Sequence, residues 1–83
     1  MLEKRRDYVQ IIAEILELCR KPTAKTQITY KTNTSYLGVQ KFIERLKKLG
    51  LLRLGIDNKK YVTTEKGQKF IIKYAGLQEL LKL

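Results

Sequence analysis

Few side chains in this sequence could take part in covalent chemistry. The chain has no histidine, and Cys19 is its only cysteine, so the usual metal ligands and nucleophile–base pairs are missing. Glu14 and Glu17 would be neighbours on a helix, but such pairs are more often solvated surface than acid–base groups. The five glycines punctuate helices and turns and form no phosphate-binding loop. We therefore expect no enzymatic activity, no cofactor and no metal.

Positive charge is the main chemical property that remains. The chain carries 18 Lys and Arg against 8 Asp and Glu, a net charge of +10 over 83 residues. A field of this size favours a polyanionic partner, with nucleic acid ahead of a membrane, although a merely soluble basic surface is the alternative. The excess is uneven, since residues 34–62 carry a net +5 whereas the longer segment 1–33 carries +3. The denser segment is the predicted contact region.

Apolar spacing and helix breakers predict six short elements around this region. In chain order they are a helix over about 5–19, a short helix over 24–31, a helix over 35–49, strands over 51–56 and 60–63, and a last helix over 65–81. Pro22 ends the first helix and Gly50 the third, while Thr23, Ser35 and Thr64 are predicted N-caps. The inner stripe of the third helix is predicted to be Val39, Phe42, Ile43, Leu46 and Leu49.

This order of elements is that of a winged helix-turn-helix, a mainly α fold with a small β-hairpin. Asn33 suits the tight turn between the second and third helices, and Asp57-Asn58 suits the turn of the hairpin. We expect residues 1–64 to form the winged helix-turn-helix domain. Residues 65–83 are predicted to form a C-terminal helix that covers the core and joins two copies of the chain.

In such a fold the third helix enters the major groove of duplex DNA by its N-terminal residues. Ser35, Tyr36, Gln40 and Lys41 are therefore predicted DNA contacts. Gln40 can pair with an adenine edge and Lys41 with guanine or phosphate, while Arg45 is predicted to meet the backbone. Ser35 could instead serve only as a cap, and Tyr36 could pack against the second helix. Gln40, Lys41 and Arg45 could also form an ordinary solvated face.

The hairpin and the second helix offer further cations. Arg53, Lys59 and Lys60 on the hairpin can hold phosphates or enter a minor groove, or they can simply protect an edge strand from aggregation. Lys25 is a predicted backbone contact because it begins the second helix. Other candidates for such a contact are Arg5, Arg6, Lys21 and Lys31.

The last helix has a heptad-like apolar stripe. Phe70, Tyr74, Leu77 and Leu81 follow one another at spacings of 4, 3 and 4, as in helices that pair with other helices. The alternative is that this helix only covers the protein's own core. A chain this short buries only roughly 60% of its unfolded surface and cannot form an internal disulfide, so a partner chain would stabilise it. We expect a homodimer built on these four residues.

The sequence leaves three functions open: a sequence-specific transcription regulator, a sequence-tolerant architectural protein of chromatin, and a protein-interaction module. No apolar run approaches the length of a membrane span, and the N-terminal residues do not resemble a signal peptide. We expect a cytoplasmic, nucleoid-associated protein with no membrane partner.

Several groups of residues carry a resemblance to a known family. They are Lys25-Thr26-Gln27-Ile28-Thr29-Tyr30, Asn33, Ser35-Tyr36, Gly50-Leu51-Leu52 and Thr64-Glu65-Lys66-Gly67. Over about residues 5–74 the chain resembles archaeal winged-helix DNA-binding proteins, in particular the ten-kilodalton a-type Sulfolobus proteins. The resemblance implies an archaeal or archaeal-virus protein that binds duplex DNA and dimerises through its C-terminal helix. The DNA-facing positions that it implies are Lys25, Thr26, Ser35, Tyr36, Gln40, Lys41, Lys59 and Lys60.

Overall fold

The computed structural model describes residues 7–82, so the predicted contacts of Arg5 and Arg6 lie outside the described residues. In chain order the elements are α1 (Tyr8–Leu18), α2 (Lys25–Thr32), α3 (Tyr36–Lys48), β1 (Leu52–Leu54), β2 (Tyr61–Thr63) and α4 (Glu65–Leu80). This order, with an antiparallel hairpin between α3 and α4, confirms the predicted fold. No helix among the described residues is long and apolar enough to cross a membrane.

The core lies where α1, α2 and α3 meet the hairpin. Its buried hydrophobic residues are Ile12, Ile15, Leu16, Cys19, Ile28, Val39, Ile43, Leu46, Leu51 and Leu52. Phe42 and Phe70 are partly buried and pack against this cluster. Full burial of a large aliphatic side chain contributes about 1.5–3 kcal/mol, so these residues fix how α3 and the hairpin are held.

The prediction that Leu49 joins the core is wrong. Leu49 is the C-cap of α3 and 47% of its surface is exposed. Gly50 follows with a φ of 77°, a left-handed conformation that glycine adopts without steric cost. The chain therefore reverses one residue earlier than the helical stripe implies, and Leu51 takes the buried position instead.

Two of the three predicted N-caps are confirmed. The Ser35 hydroxyl accepts a hydrogen bond from the Gly38 N–H at 3.0 Å, and the Thr64 hydroxyl accepts one from the Gly67 N–H at 3.0 Å. The first helix begins later than predicted because Asp7 provides its cap. Such caps satisfy N–H groups that have no partner within the helix.

The prediction that Thr23 caps α2 is wrong. Ala24 holds the N-cap position and makes no side-chain bond there. The Thr23 hydroxyl donates instead to the carbonyl oxygens of Leu18 at 2.9 Å and Lys21 at 2.8 Å. Its backbone is also engaged: the Thr23 N–H donates to the Tyr61 carbonyl at 3.1 Å, and the Tyr61 N–H donates back at 2.8 Å. Thr23 therefore ties the end of α1 to the hairpin.

The hairpin is shorter than predicted but anchored at its base. Leu52 pairs with Thr63 and Leu54 with Tyr61. The buried Thr63 hydroxyl donates to the Leu16 carbonyl at 2.6 Å, and the Thr63 N–H donates to the Cys19 carbonyl at 2.8 Å. These bonds, together with the Thr23 bridge, fix the hairpin against the end of α1.

Cys19 lies inside this junction with no exposed surface. Burial raises the pKa of its thiol to about 12, although a hydrogen bond with Thr23 opposes the shift. A thiolate is the reactive form of cysteine. The Cys19 thiol is therefore a protonated, inert part of the core.

Candidate nucleic-acid interface

The turn between α2 and α3 is formed at Asn33. Asn33 is the C-cap of α2 and has φ 54° and ψ 43°, which confirms the predicted left-handed turn. Its N–H donates to the Tyr30 carbonyl at 3.3 Å, and the buried Thr32 hydroxyl donates to the Ile28 carbonyl at 2.7 Å. Because Ile28 and Val39 are fully buried on the inner side, the outer side of α3 faces away from the core.

The outer face of α3 is a shallow hollow rich in cations. It is lined by Leu37, Gln40, Lys41, Glu44, Arg45, Lys48 and Leu49. Gln40 and Lys41 are exposed, and neither makes a side-chain hydrogen bond or ion pair within residues 7–82. Glu44 is the one carboxylate in this hollow. The face thus presents one amide and several cations that can form hydrogen bonds and ion pairs with a ligand.

Tyr36 and Lys25 form one border of this face. The Lys25 Nζ lies 5.0 Å from the centroid of the Tyr36 ring, within the range of a cation–π contact. Tyr36 nevertheless keeps 52% of its surface exposed, so it contacts α2 and remains open to solvent. Ser35 and Thr26 are exposed nearby in the chain. The Ser35 oxygen accepts from Gly38, which leaves its O–H free to donate.

Tyr8 and Phe42 form the other border and position a second cation. Their ring centroids are 5.3 Å apart, and the Arg45 guanidinium lies 5.7 Å from the centroid of the Tyr8 ring. Lys41 lines the same small hollow. This cation–π contact places the Arg45 guanidinium beside Lys41.

The tip of the hairpin is a closed turn. The Gly55 N–H donates to the Lys60 carbonyl at 2.7 Å, and the Asn58 N–H donates to the Gly55 carbonyl at 3.1 Å. Asn58 has a φ of 58°. The Lys59 N–H donates to Asp57 Oδ1 at 3.0 Å, and this bond holds the pKa of Asp57 below its ordinary value. The exposed Lys59 and Lys60 side chains therefore project from a fixed backbone.

Arg53 lies on the outward side of β1. It is exposed, and its guanidinium donates to the Leu54 carbonyl at 3.3 Å. Arg53 thus lies on β1, and Lys60 lies immediately before β2, at the other side of the tip.

Sequence reasoning missed two exposed apolar residues of this surface. Leu37 is 62% exposed and lies three and four residues before Gln40 and Lys41, a spacing that places all three on one helix face. Ile56 is fully exposed beside the turn of the hairpin. The sequence feature that could have indicated this exposure is an aliphatic residue next to the turn residues Asp57-Asn58 that belongs to no apolar repeat.

The four residues predicted for dimerisation divide into two pairs. Phe70 packs against the core, and Tyr74 lies parallel to it with 6.3 Å between ring centroids. Leu77 and Leu81 are 52% and 71% exposed. The first half of the stripe therefore belongs to the fold, whereas the second half lies exposed at the C-terminal end of α4.

A family model described as a winged helix-turn-helix matches residues 5–82. The chain belongs to the winged helix-turn-helix family. α2, the turn at Asn33 and α3 are its helix-turn-helix, and β1 with β2 is its wing. A search of curated proteins found no match.

Solved winged helix-turn-helix structures agree with this assignment. Sso10a-2, a DNA-binding protein from Sulfolobus solfataricus, is 28% identical over 92% of this chain and 85% of that chain, with a TM-score of 0.75. A variant of Lactococcus lactis ZitR is 21% identical over 98% of this chain and 62% of that chain, with a TM-score of 0.71, and shows the fold alone. The resemblance to the Sulfolobus family that the sequence indicates is confirmed.

Proposed function

We propose that this chain is a double-stranded DNA-binding protein that acts as a transcription regulator. The observation that carries the proposal is the outer face of α3, where Gln40 and Lys41 are exposed and make no side-chain bonds within the described part of the chain. The similar Sulfolobus protein Sso10a-2 is described as a DNA-binding protein, which supports the same partner here.

The dimensions of α3 suit the major groove. An α-helix with its side chains is about 10–12 Å across, and the major groove of B-DNA is about 12 Å wide. With α3 in the groove, Gln40 pairs with an adenine edge and Lys41 with guanine or a phosphate. Ser35 and Tyr36 stand at the helix N-terminus, whose partial positive charge favours a nearby phosphate.

Phosphate contacts flank this central pair in the proposed complex. Lys25 and Thr26 at the start of α2 and Arg45 on α3 hold the backbone on either side of the groove, while Lys59 and Lys60 hold it from the wing. Such contacts fix the position of the protein on the duplex and carry no sequence information of their own.

The homodimer is part of the same proposal. Leu77 and Leu81 would lie at its centre, since Leu77 is exposed on the C-terminal half of α4 and Leu81 is exposed at its C-cap. Two copies joined there would present two α3 helices to the duplex. Half-sites one helical turn apart require these two helices to lie about 34 Å apart. Residues 65–83 would then be the dimerising segment and residues 1–64 the DNA-binding domain.

A sequence-tolerant architectural role is the second candidate. Within the hollow on α3, Gln40 is the one side chain that can both donate to and accept from a base edge. The remaining polar groups are cations and Glu44. A surface with many phosphate contacts and few base contacts binds most duplexes alike.

Titration of several fluorescent duplexes with the protein at increasing salt tests the proposal. We expect duplex binding that weakens steeply as salt rises, because each phosphate contact releases counterions. One duplex bound roughly a thousandfold more tightly than the others would identify a sequence-specific regulator. Equal binding of all duplexes would identify the architectural role. If no duplex binds even at low salt, both proposals are wrong.

A further inference from the structure

Ile56 occupies an unusual position for an aliphatic residue. Its side chain is fully exposed at the tip of the wing, and it takes no part in the hydrophobic core. Covering an exposed apolar side chain removes it from water and lowers the free energy. No other residue in the described part of the chain covers Ile56, so its side chain is available to a partner.

Hydrogen bonds define the turn that presents Ile56. The Asn58 N–H reaches back to the Gly55 carbonyl at 3.1 Å, so Ile56 is the second residue of a hydrogen-bonded β-turn. The bond from the Lys59 N–H to Asp57 Oδ1 closes the other side of the tip. Insertion of Ile56 into a partner would need little further ordering of the backbone.

The charges around Ile56 identify the partner. Arg53 on β1 and Lys59 and Lys60 between the strands are exposed cations, and the one acidic group of the hairpin is Asp57. An apolar side chain surrounded by cations is complementary to a surface on which phosphates flank stacked bases. The minor groove of DNA is such a surface, about 6 Å wide between its phosphate walls.

We propose that Ile56 is a wedge that enters a base step from the minor groove and kinks the duplex. This inference rests on the proposed DNA binding and adds a deformation to it. Aliphatic wedges of this kind partly unstack one step and bend the helix by roughly 20–90°. Arg53, Lys59 and Lys60 contact the phosphates on both sides of the opened step. Pyrimidine–purine steps are the favoured sites because they unstack most easily.

The test measures the bending of the duplex separately from the affinity of the protein for it. A duplex of about three helical turns, labelled at both ends for energy transfer, is saturated at low salt with the wild-type protein, Ile56→Ala or Ile72→Ala. Ile72 is the matched control because it is 66% exposed on α4, away from the wing. We expect the wild-type protein and Ile72→Ala to shorten the end-to-end distance. Ile56→Ala should saturate the duplex, with an affinity loss of less than about tenfold, and leave it straight.

The outcomes separate this inference from the function on which it rests. Binding without bending by the wild-type protein, or equal bending by Ile56→Ala, overturns the wedge and leaves DNA binding intact. Loss of all binding by Ile56→Ala at low salt also overturns it, since phosphate contacts alone should retain that variant. Absence of binding by the wild-type protein overturns the proposed function as well.

Discussion

Gly67→Ala should lower the free energy of unfolding by about 1–3 kcal/mol, the usual range for overpacking a tight contact. A Cβ at Gly67 would overlap the Leu51 carbonyl oxygen and stand 2.5 Å from the Thr63 methyl group. Both atoms belong to the anchored base of the hairpin, so α4 must move away from it. Alanine favours a helix over glycine by only about 1 kcal/mol, which does not offset the displacement. Thermal unfolding followed by circular dichroism measures the effect.

Gly76→Ala is the matched control on the same helix. A Cβ at Gly76 meets nothing within 4 Å, so only the helix preference remains, and we expect a gain of about 0.5–1 kcal/mol. A shift of 1 kcal/mol corresponds to about 4–8 °C in Tm for a domain of this size. The two variants should therefore move Tm in opposite directions. An unchanged or raised Tm for Gly67→Ala would contradict the packing of α4 against the hairpin.

Leu77→Lys should convert the proposed dimer into a monomer and weaken duplex binding by about a hundredfold or more. Leu77 is 52% exposed on the uncovered half of α4, so the substitution is compatible with folding of one chain but buries two charges in the dimer. Linked sites gain about 10²–10⁴ in affinity from simultaneous binding, and the monomer loses that gain. Sedimentation equilibrium gives the mass, and the duplex titration gives the affinity.

Ile72→Lys provides the comparison for charge. Ile72 is 66% exposed on α4, and its position five residues before Leu77 places it on a different face of the helix. The Ile72→Lys variant should keep the molecular mass of the wild-type protein and should weaken duplex binding only slightly. If Leu77→Lys keeps the wild-type mass, the stripe from Phe70 to Leu81 is not the dimer surface.

The fold was largely predictable because its signals are local. Ser35 and Thr64 cap helices through bonds to residues three positions later, and Gly50 ends α3 by its own conformational freedom. The errors arose where distant residues decide the outcome. Thr23 has the composition of an N-cap, but its backbone pairs with Tyr61, 38 positions along the chain. Leu49 follows the helical period, but the helix ends there and Leu51 fills the core.

For the candidate interface, the sequence predicts which side chains are exposed better than it predicts their arrangement. Helical spacing places Gln40 and Lys41 together on an outer face. Spacing does not indicate that Tyr8, on another helix, positions Arg45 at 5.7 Å. Nor does it indicate that Ile56 is fully exposed, because exposure depends on how the whole hairpin is anchored.

The affinity of Lys41→Ala for a duplex, relative to that of Lys82→Ala, tests the central claim most directly. Each variant removes one positive charge from an exposed site, so their effects on the overall field are matched. Lys82 lies beyond α4, 3.7 Å from Glu79, whereas Lys41 lies on the proposed DNA-binding face of α3. We expect about a 10- to 100-fold loss for Lys41→Ala, and less than about twofold for Lys82→Ala. Equal losses in the two variants would contradict the assignment of α3 as the DNA-binding helix.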